Sequence, residues 1–190
     1  AAPADANPGV LRLEDNLDSM GTTYSVVAYG TDRYKMQSAV ELAFEEVRRL
    51  DQLLSNYRKD SELSRLNQNA AGRPVKVSRE LFDLISACVR YSEASEGAFD
   101  ITVGPLMKVW GFYKGSGRFP HRAEIRGAMA NVGFRNIVLD AGQQTVQYRG
   151  AGVEIDPGGI GKGYAVDRMV ASRSARALKP ASITVLRNMP

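Results

Sequence analysis

Residues 152–167 read GVEIDPGGIGKGYAVD, a short apolar run that ends in an acid, a proline and several glycines around one lysine. The run before Asp156 is typical of a β-strand, and residues 164–169 are typical of a helix. Glycines allow positive φ angles and close approach to the backbone, and Lys162 adds a charge suited to phosphate. The stretch therefore predicts a strand, a glycine loop and a helix. The loop is either a binding loop or only a tight turn within the fold.

Two familiar phosphate-binding motifs do not fit this loop. A P-loop needs a glycine where this chain has Asp156, and a serine or threonine where it has Gly163. The dinucleotide pattern GxGxxG fails from either available start, Gly159 or Gly161, because its last position is not a glycine. The loop alone therefore supports neither class of nucleotide-binding protein.

Composition places the chain among ordinary globular proteins. It has 190 residues, of which 44% are hydrophobic and 24% charged, so it can bury a core, and no run is long enough to span a membrane. Its start, AAPADANPG, is typical of what remains after signal-peptide cleavage. We therefore expect residues 1–16 to form the flexible mature N-terminus of an exported protein, with a cytosolic start as the alternative.

Charge and cysteine content exclude several functions. The net charge is +4, but every charged side chain in residues 168–190 is basic, so the excess lies in the tail and not on a folded face. This distribution argues against nucleic-acid binding. The single cysteine, Cys88, cannot form an intramolecular disulfide, and its apolar helical surroundings predict a core thiol rather than a nucleophile. His121, the only histidine, is assigned no role.

Hydrophobic periodicity and turn signals predict the remaining elements. Ser78 is the predicted N-cap of the second helix. The predicted elements are strand 21–29, helix 34–57, helix 79–96, a short helix 105–110, helix 121–131, a hairpin of 136–140 with 144–150, and a third strand 151–156. The pattern indicates an α/β (α+β) fold with a mixed sheet and flanking helices.

Five separated stretches together resemble the FAD:protein FMN transferases, the ApbE-type flavin transferases of bacterial periplasms. They are MGTTYSV at 20–26, LDQLLSNYRKDSELSRLN at 50–67, EGAFDITVGPLMKVWGF at 96–112, VGFRNIVLD at 132–140 and VEIDPGGIGKGYAVD at 153–167. Their order and number make the signal specific where any one would be weak. The resemblance implies a T-fold-like architecture, a periplasmic location that includes possible membrane association, and a flavin-transferase domain over residues 17–169, followed by a divergent basic tail at 170–190.

The resemblance also implies an activity. Such enzymes cleave the pyrophosphate of FAD, join the FMN phosphate to a threonine hydroxyl of a target flavoprotein, and release AMP, usually with Mg²⁺. In this reaction a weak alcohol nucleophile attacks a phosphorus surrounded by negative charge. A cation is therefore needed to neutralise that charge, and a base to accept the hydroxyl proton. FAD, magnesium and an acceptor flavoprotein are therefore the expected cofactors and partners.

Most site residues are implied residue by residue through the matching motifs. Met20 and Tyr57 occupy positions of flavin contacts, and without the resemblance each would be read as an ordinary core or surface residue. Ala98, Phe99 and Asp100 match the FAD-contacting turn, although Asp100 alone would be read as a turn or cap residue.

The glycine loop supplies the other implied contacts. Asp156 matches a cofactor-contacting acid, Gly159 the position whose carbonyl ligates magnesium, and Lys162 the basic contact that follows. A structural strand-to-helix turn is the alternative explanation of the loop. Ser61, Glu62 and Ser64 are interpreted as loop and helix-cap residues that shape the pocket.

The chain also departs from the family pattern. Members are usually considerably longer, and the resemblance implies that the remaining magnesium ligands and the catalytic residues lie beyond residue 190. Three functions stay open at this point: a flavin transferase, a non-catalytic FAD-binding or flavin-donating protein, and an interaction module without flavin. Incomplete sheet edges favour pairing with further strands, for which homo-oligomerisation is one route.

Overall fold

The computed structural model describes residues 9–115, 117–171 and 181–186 of the chain. Its regular elements are β1 (Leu11–Ser19), β2 (Thr22–Gly30), α1 (Arg33–Leu54), α2 (Glu62–Asn69), β3 (Val75–Lys76), α3 (Arg79–Ala94), α4 (Gly104–Val109), α5 (Arg122–Met129), β4 (Ile137–Asp140), β5 (Thr145–Tyr148), α6 (Gly161–Ala171) and β6 (Ala181–Leu186). The chain divides into two compact units. We call Ala1–Asp51 with Ile160–Pro190 the terminal unit, and Gln52–Gly159 the central unit.

In the terminal unit, β1, β2 and β6 form an antiparallel sheet in which β2 is the middle strand. The predicted alternation of β2 is confirmed, because Tyr24, Val26 and Ala28 are all buried. α1 begins one residue before its predicted start and ends three residues before its predicted end. Its apolar stripe is also confirmed: Val40, Ala43, Phe44, Val47 and Leu50 are each at most 4% exposed.

The central unit contains a second antiparallel sheet of β3, β5 and β4, together with α2 to α5. The predicted hairpin is β4 and β5, and the predicted short helix is α4. Ser78 caps α3 as expected, since its side chain accepts a hydrogen bond from the Leu81 N–H. The α/β (α+β) class with flanking helices is thus confirmed, with two small sheets in the described residues.

The predicted third strand at 151–156 is wrong. Val153 and Ile155 are buried in alternation as in a strand, but the segment has no partner strand among the described residues. Its backbone pairs with loops and a side chain: Glu154 O accepts from Gly104 N, and Asp156 N donates to Ile101 O. Alternate burial marks an extended segment here, while the hydrogen bonds that define a ladder are absent.

Two other segments differ from expectation. Residues 11–16, placed in the flexible N-terminus, belong to β1, whose pairing with β2 reaches Leu11. β1 is an edge strand exposed over most of its length, so it lacks the apolar alternation that marks a half-buried strand. In the basic tail, residues 181–186 form β6. The rest of both segments, residues 1–8, 172–180 and 187–190, lies outside the described residues.

The prediction that Cys88 is a core thiol is confirmed. Cys88 is fully buried in α3, and burial raises the pKa of its thiol to about 12, so it is a core thiol. In the described part of the chain, no helix combines the length and apolar character needed to cross a bilayer.

A substitution of Gly104 tests the packing of α4 on residues 153–156. A Cβ at Gly104 would lie 2.8 Å from both the Cβ and the backbone oxygen of Glu154. Because backbone cannot move aside as a flexible side chain can, we expect Gly104→Ala to lower the free energy of unfolding by about 2 kcal/mol. The matched control is Gly127→Ala in α5, where nothing lies within 4 Å of the added Cβ. It should raise stability by about 0.5 kcal/mol. Urea denaturation that ranks the two variants in the opposite order would contradict the packing.

The contribution of Glu124, at the start of α5, to the stability of the protein should depend on pH. Glu124 accepts hydrogen bonds from Arg118 and from the His121 N–H, and these lower its pKa from 4.5 to about 2. A lowered folded-state pKa contributes stability that is complete above the unfolded value and is lost as the pH falls through the folded value. The contribution of Glu124 should therefore disappear between about pH 4.5 and pH 2. A carboxyl NMR titration should give a midpoint near 2, and Arg118→Gln should move it upward; an unshifted wild-type midpoint would refute this.

Candidate functional site

The glycine loop is organised around the carboxylate of Asp156, which is only 8% exposed. One oxygen, Oδ1, accepts from the Gly158 N–H at 2.6 Å, and the other, Oδ2, accepts from the Tyr113 hydroxyl at 2.5 Å. A Cβ at Gly158 would lie 2.8 Å from Oδ1. Gly158 is therefore explained by this turn, because any larger residue would displace the carboxylate.

The next glycine links the loop to the motif around Phe99. Gly159 is exposed, and a Cβ placed on it would lie 3.4 Å from the Phe99 ring. The loop residues Pro157–Gly159 form a single 3₁₀ turn. The structure thus places the predicted metal position beside a predicted FAD-contacting aromatic residue. The bend at 158–159 has bare backbone on an exposed surface rather than within a packed core.

Tyr57, which is 69% exposed, is linked to this loop through Tyr113. Its ring meets the ring of Tyr113 edge to face, with centroids 5.6 Å apart and planes at 85°. Partial burial, followed by the nearby charge of Asp156, raises the pKa of Tyr57. The same two causes, with the direct hydrogen bond to Asp156, raise the pKa of Tyr113. Both phenols therefore stay protonated at neutral pH, and Tyr57 presents an aromatic face beside an acid.

Two asparagines that the sequence did not single out, Asn56 and Asn67, form hydrogen bonds around Tyr113 and Ile155. Asn67 uses its whole hydrogen-bonding capacity: Nδ2 donates to Asn56 Oδ1 and Ile155 O, and Oδ1 accepts from Ile155 N and the Tyr148 hydroxyl. Asn56 Nδ2 donates to Ile155 O and to the Tyr113 hydroxyl. Both asparagines fall within the motif at 50–67, so their presence beside Tyr57 in that motif was the available signal.

Asp100 points into its own loop. Its Oδ1 accepts from the N–H and hydroxyl of Thr102, and its Oδ2 accepts from the Phe134 N–H at 2.8 Å. The neighbouring Ala98 is exposed. The carboxylate thus has the turn-forming contacts that residue type and sequence position suggest, and its predicted FAD contact stays a prediction. Ser61 has the predicted capping role, since it accepts from Ser64 N at the start of α2.

Met20 and Lys162 belong to the terminal unit. Met20 adopts φ +52° in the turn between β1 and β2, followed by Gly21 at φ +67°, and its sulfur accepts from the Tyr24 hydroxyl at 3.3 Å. A left-handed conformation is uncommon for a non-glycine residue and is found more often at functional sites. Lys162 is half-buried in the first turn of α6, beside the exposed Gly163. Their roles as flavin and cofactor contacts stay predictions.

Magnesium fits the described residues only in part. They contain no group of three or more histidine, cysteine, aspartate or glutamate side chains that could hold a metal ion. Mg²⁺ accepts few protein oxygens when substrate phosphates supply others, so the carbonyl of Gly159 alone is at most one ligand of such a site. The described residues do not form a magnesium site by themselves.

Comparison with solved structures identifies the class of protein. The ApbE protein from Thermotoga maritima superposes with a TM-score of 0.83 at 29% identity, over 92% of this chain and 57% of that protein. The flavin transferase ApbE from Vibrio cholerae gives a TM-score of 0.80 at 25% identity over the same shares. The fold is therefore that of the ApbE flavin transferases.

Sequence comparison gives the family. The sequence model of the ApbE family matches residues 20–186, and the chain therefore belongs to that family. The FAD:protein FMN transferase of Salmonella typhimurium is 35% identical over 173 residues, which cover 86% of this chain and 47% of the relative. That of Treponema pallidum is 32% identical over 154 residues, or 78% and 42%. The chain spans about half the length of these curated relatives. The match also continues beyond residue 169, the end of the domain expected from the motifs.

Proposed function

We propose that this chain binds FAD through the central unit and transfers its FMN moiety to a threonine of a target flavoprotein, as an FAD:protein FMN transferase. One observation carries the proposal: the exposed ring of Tyr57 packs against Tyr113, whose hydroxyl donates to Asp156, the acid that precedes the exposed glycine turn at 158–159. An aromatic face suits stacking of a flavin or adenine ring. A carboxylate accepts hydrogen bonds from ribityl, ribose or ring N–H donors. Exposed glycines leave room for a pyrophosphate.

The proposed reaction joins FMN to a threonine. The threonine oxygen attacks the flavin-side phosphorus of the FAD pyrophosphate and forms a P–O bond, while the bond to the bridging oxygen breaks and AMP leaves with that electron pair. A base accepts the hydroxyl proton. Magnesium, when bound, would neutralise charge on the phosphates. Asp156 and Tyr57 would bind and orient FAD, and the base is not assigned to any described residue.

Covalent flavinylation tests the full proposal. The chain would be incubated with FAD, Mg²⁺ and an acceptor flavoprotein domain, and the acceptor analysed by mass spectrometry and in-gel fluorescence. We expect an acceptor mass increase equal to FMN less one water, with AMP released in equal amount. The controls are an acceptor whose target threonine is alanine and a reaction without the chain. Modification of the threonine-free acceptor, or modification without the chain, would contradict the proposal.

A second candidate function is FAD binding without transfer. It is favoured by the absence, within the described residues, of a carboxylate or histidine cluster that could hold magnesium. Saturable FAD binding in the chain, with no covalent FMN on the acceptor under any Mg²⁺ concentration, would support this second function over the first. The periplasmic location stays a prediction.

A further inference from the structure

We propose that Tyr113 is a positioning residue that sets the orientation of both Asp156 and Tyr57 for FAD. This inference rests on the proposed function, since it concerns how the same site is held ready. Tyr113 lies just after the motif at 96–112, and no sequence pattern pointed to it. It contacts both predicted ligand-binding residues, through its hydroxyl on one side and its ring on the other.

The hydrogen-bond network fixes the direction of the Tyr113 hydroxyl. Asn56 Nδ2 lies 3.1 Å from the carbonyl oxygen of Ile155 and 3.2 Å from the Tyr113 oxygen. A carbonyl oxygen can only accept, so the Asn56 amide group must have its nitrogen on this side. The Tyr113 oxygen consequently accepts from Asn56, and its hydrogen must point elsewhere. The only acceptor in contact with it among the described residues is Asp156 Oδ2.

Asn67 extends the same constraint to Asn56. The Oδ1 atom of Asn56 accepts from Asn67 Nδ2 at 3.1 Å, which agrees with the amide orientation set by Ile155. Asn67 is itself oriented, because its Oδ1 faces the Ile155 N–H at 2.9 Å, a group that can only donate. The N–H and C=O groups of Ile155 therefore orient both asparagine amides. As a result, Tyr113 accepts a hydrogen bond from Asn56 and donates one to Asp156.

This donation determines what Asp156 can still do. Within the described residues, each of its oxygens receives one hydrogen bond, from Gly158 N and from Tyr113, so each keeps a lone pair for a ligand donor. The carboxylate is thus held at two points in one rotamer. Preorganisation of this kind raises affinity because less freedom is lost on binding. The edge-to-face contact fixes the Tyr57 ring at the same time.

The central experiment is Tyr113→Phe, which keeps the ring contact with Tyr57 and removes the hydroxyl. We expect the Kd for FAD, measured by flavin fluorescence, to rise about tenfold. In an Asp156→Ala background the same change should have little further effect on the Kd, since its target is gone. The matched control is Tyr91→Phe, an exposed tyrosine of α3 in the same unit, which should leave the Kd unchanged.

A second cycle measures the coupling without FAD. The free energies of unfolding of wild type, Tyr113→Phe, Asp156→Ala and the double variant should be non-additive, because the two side chains share a hydrogen bond. Additive effects in this cycle, or an unchanged Kd for Tyr113→Phe when wild type binds FAD, would overturn the positioning role. Wild-type protein that binds no FAD would overturn the proposed function instead, and the unfolding cycle would still decide whether Tyr113 orients Asp156.

Discussion

Replacing Asn67 with alanine is expected to lower the free energy of unfolding by about 4 kcal/mol. The side chain makes four hydrogen bonds. Two of them join the backbone of Ile155, and another is accepted from the hydroxyl of the buried Tyr148. Burial also raises the pKa of Tyr148, so its hydroxyl stays protonated and needs an acceptor. Alanine would leave the Ile155 N–H and the Tyr148 hydroxyl without this acceptor, while the Ile155 carbonyl keeps its hydrogen bond from Asn56. Each unsatisfied buried group costs about 1–3 kcal/mol.

Chemical denaturation of wild type and variant measures this effect. Gln68→Ala is the matched control, because Gln68 is the exposed neighbour in the same helix and should change stability by less than about 0.5 kcal/mol. If Asn67→Ala were as mild as the control, the network around Ile155 would not be what holds residues 153–156 in place.

The second large effect is expected at Asp100. Asp100→Ala removes the acceptor of three hydrogen bonds. Two come from Thr102 in the same loop, and the third comes from the N–H of Phe134, which is distant in sequence. We expect a loss of about 3 kcal/mol, because hydrogen bonds to a charged acceptor are stronger than neutral ones. Asp140→Ala is the control: in the part of the chain that the structure describes, the Asp140 carboxylate accepts one hydrogen bond, from Gln143 N, and its loss should cost about 1 kcal/mol.

This expectation affects how the FAD role of Asp100 is tested. A variant that loosens the loop would weaken FAD binding even if the carboxylate never touched the ligand. FAD affinity of Asp100→Ala is therefore informative only when measured well below its melting temperature. Equal stability of Asp100→Ala and Asp140→Ala, measured by thermal unfolding, would contradict the structural role.

The sequence predicted α1, α3, α4, α5 and the central hairpin well because their signals are local, whereas α2 was not predicted. The apolar stripe of α1 repeats along most of the helix, and Ser78 marks the start of α3 by a capping contact three residues away. The prediction failed where structure depends on distant partners. Residues 153–155 alternate like a strand but pair with loops and with Asn67, and β1 is an edge strand whose exposed faces carry no pattern.

The site was predictable only as separate motifs. The structure connects Tyr57 with Asp156, and Phe99 with Gly159, although these residues are far apart in sequence. Tyr113 could not be recognised in advance, because its role comes from a hydrogen bond that spans 43 residues and has no periodic or compositional sign. Met20 and Lys162 lie in the terminal unit, and their part in the site stays a prediction.

An equilibrium titration with FAD tests the central claim most directly. Flavin fluorescence or absorbance would be followed as wild type and Asp156→Ala are added, with Asp83→Ala as a control for loss of an exposed carboxylate. We expect saturable binding to wild type and to Asp83→Ala, and binding at least about tenfold weaker to Asp156→Ala, in which the acceptor near Tyr57 is missing. Equal affinity of wild type and Asp156→Ala, or no saturable binding to wild type, would contradict it.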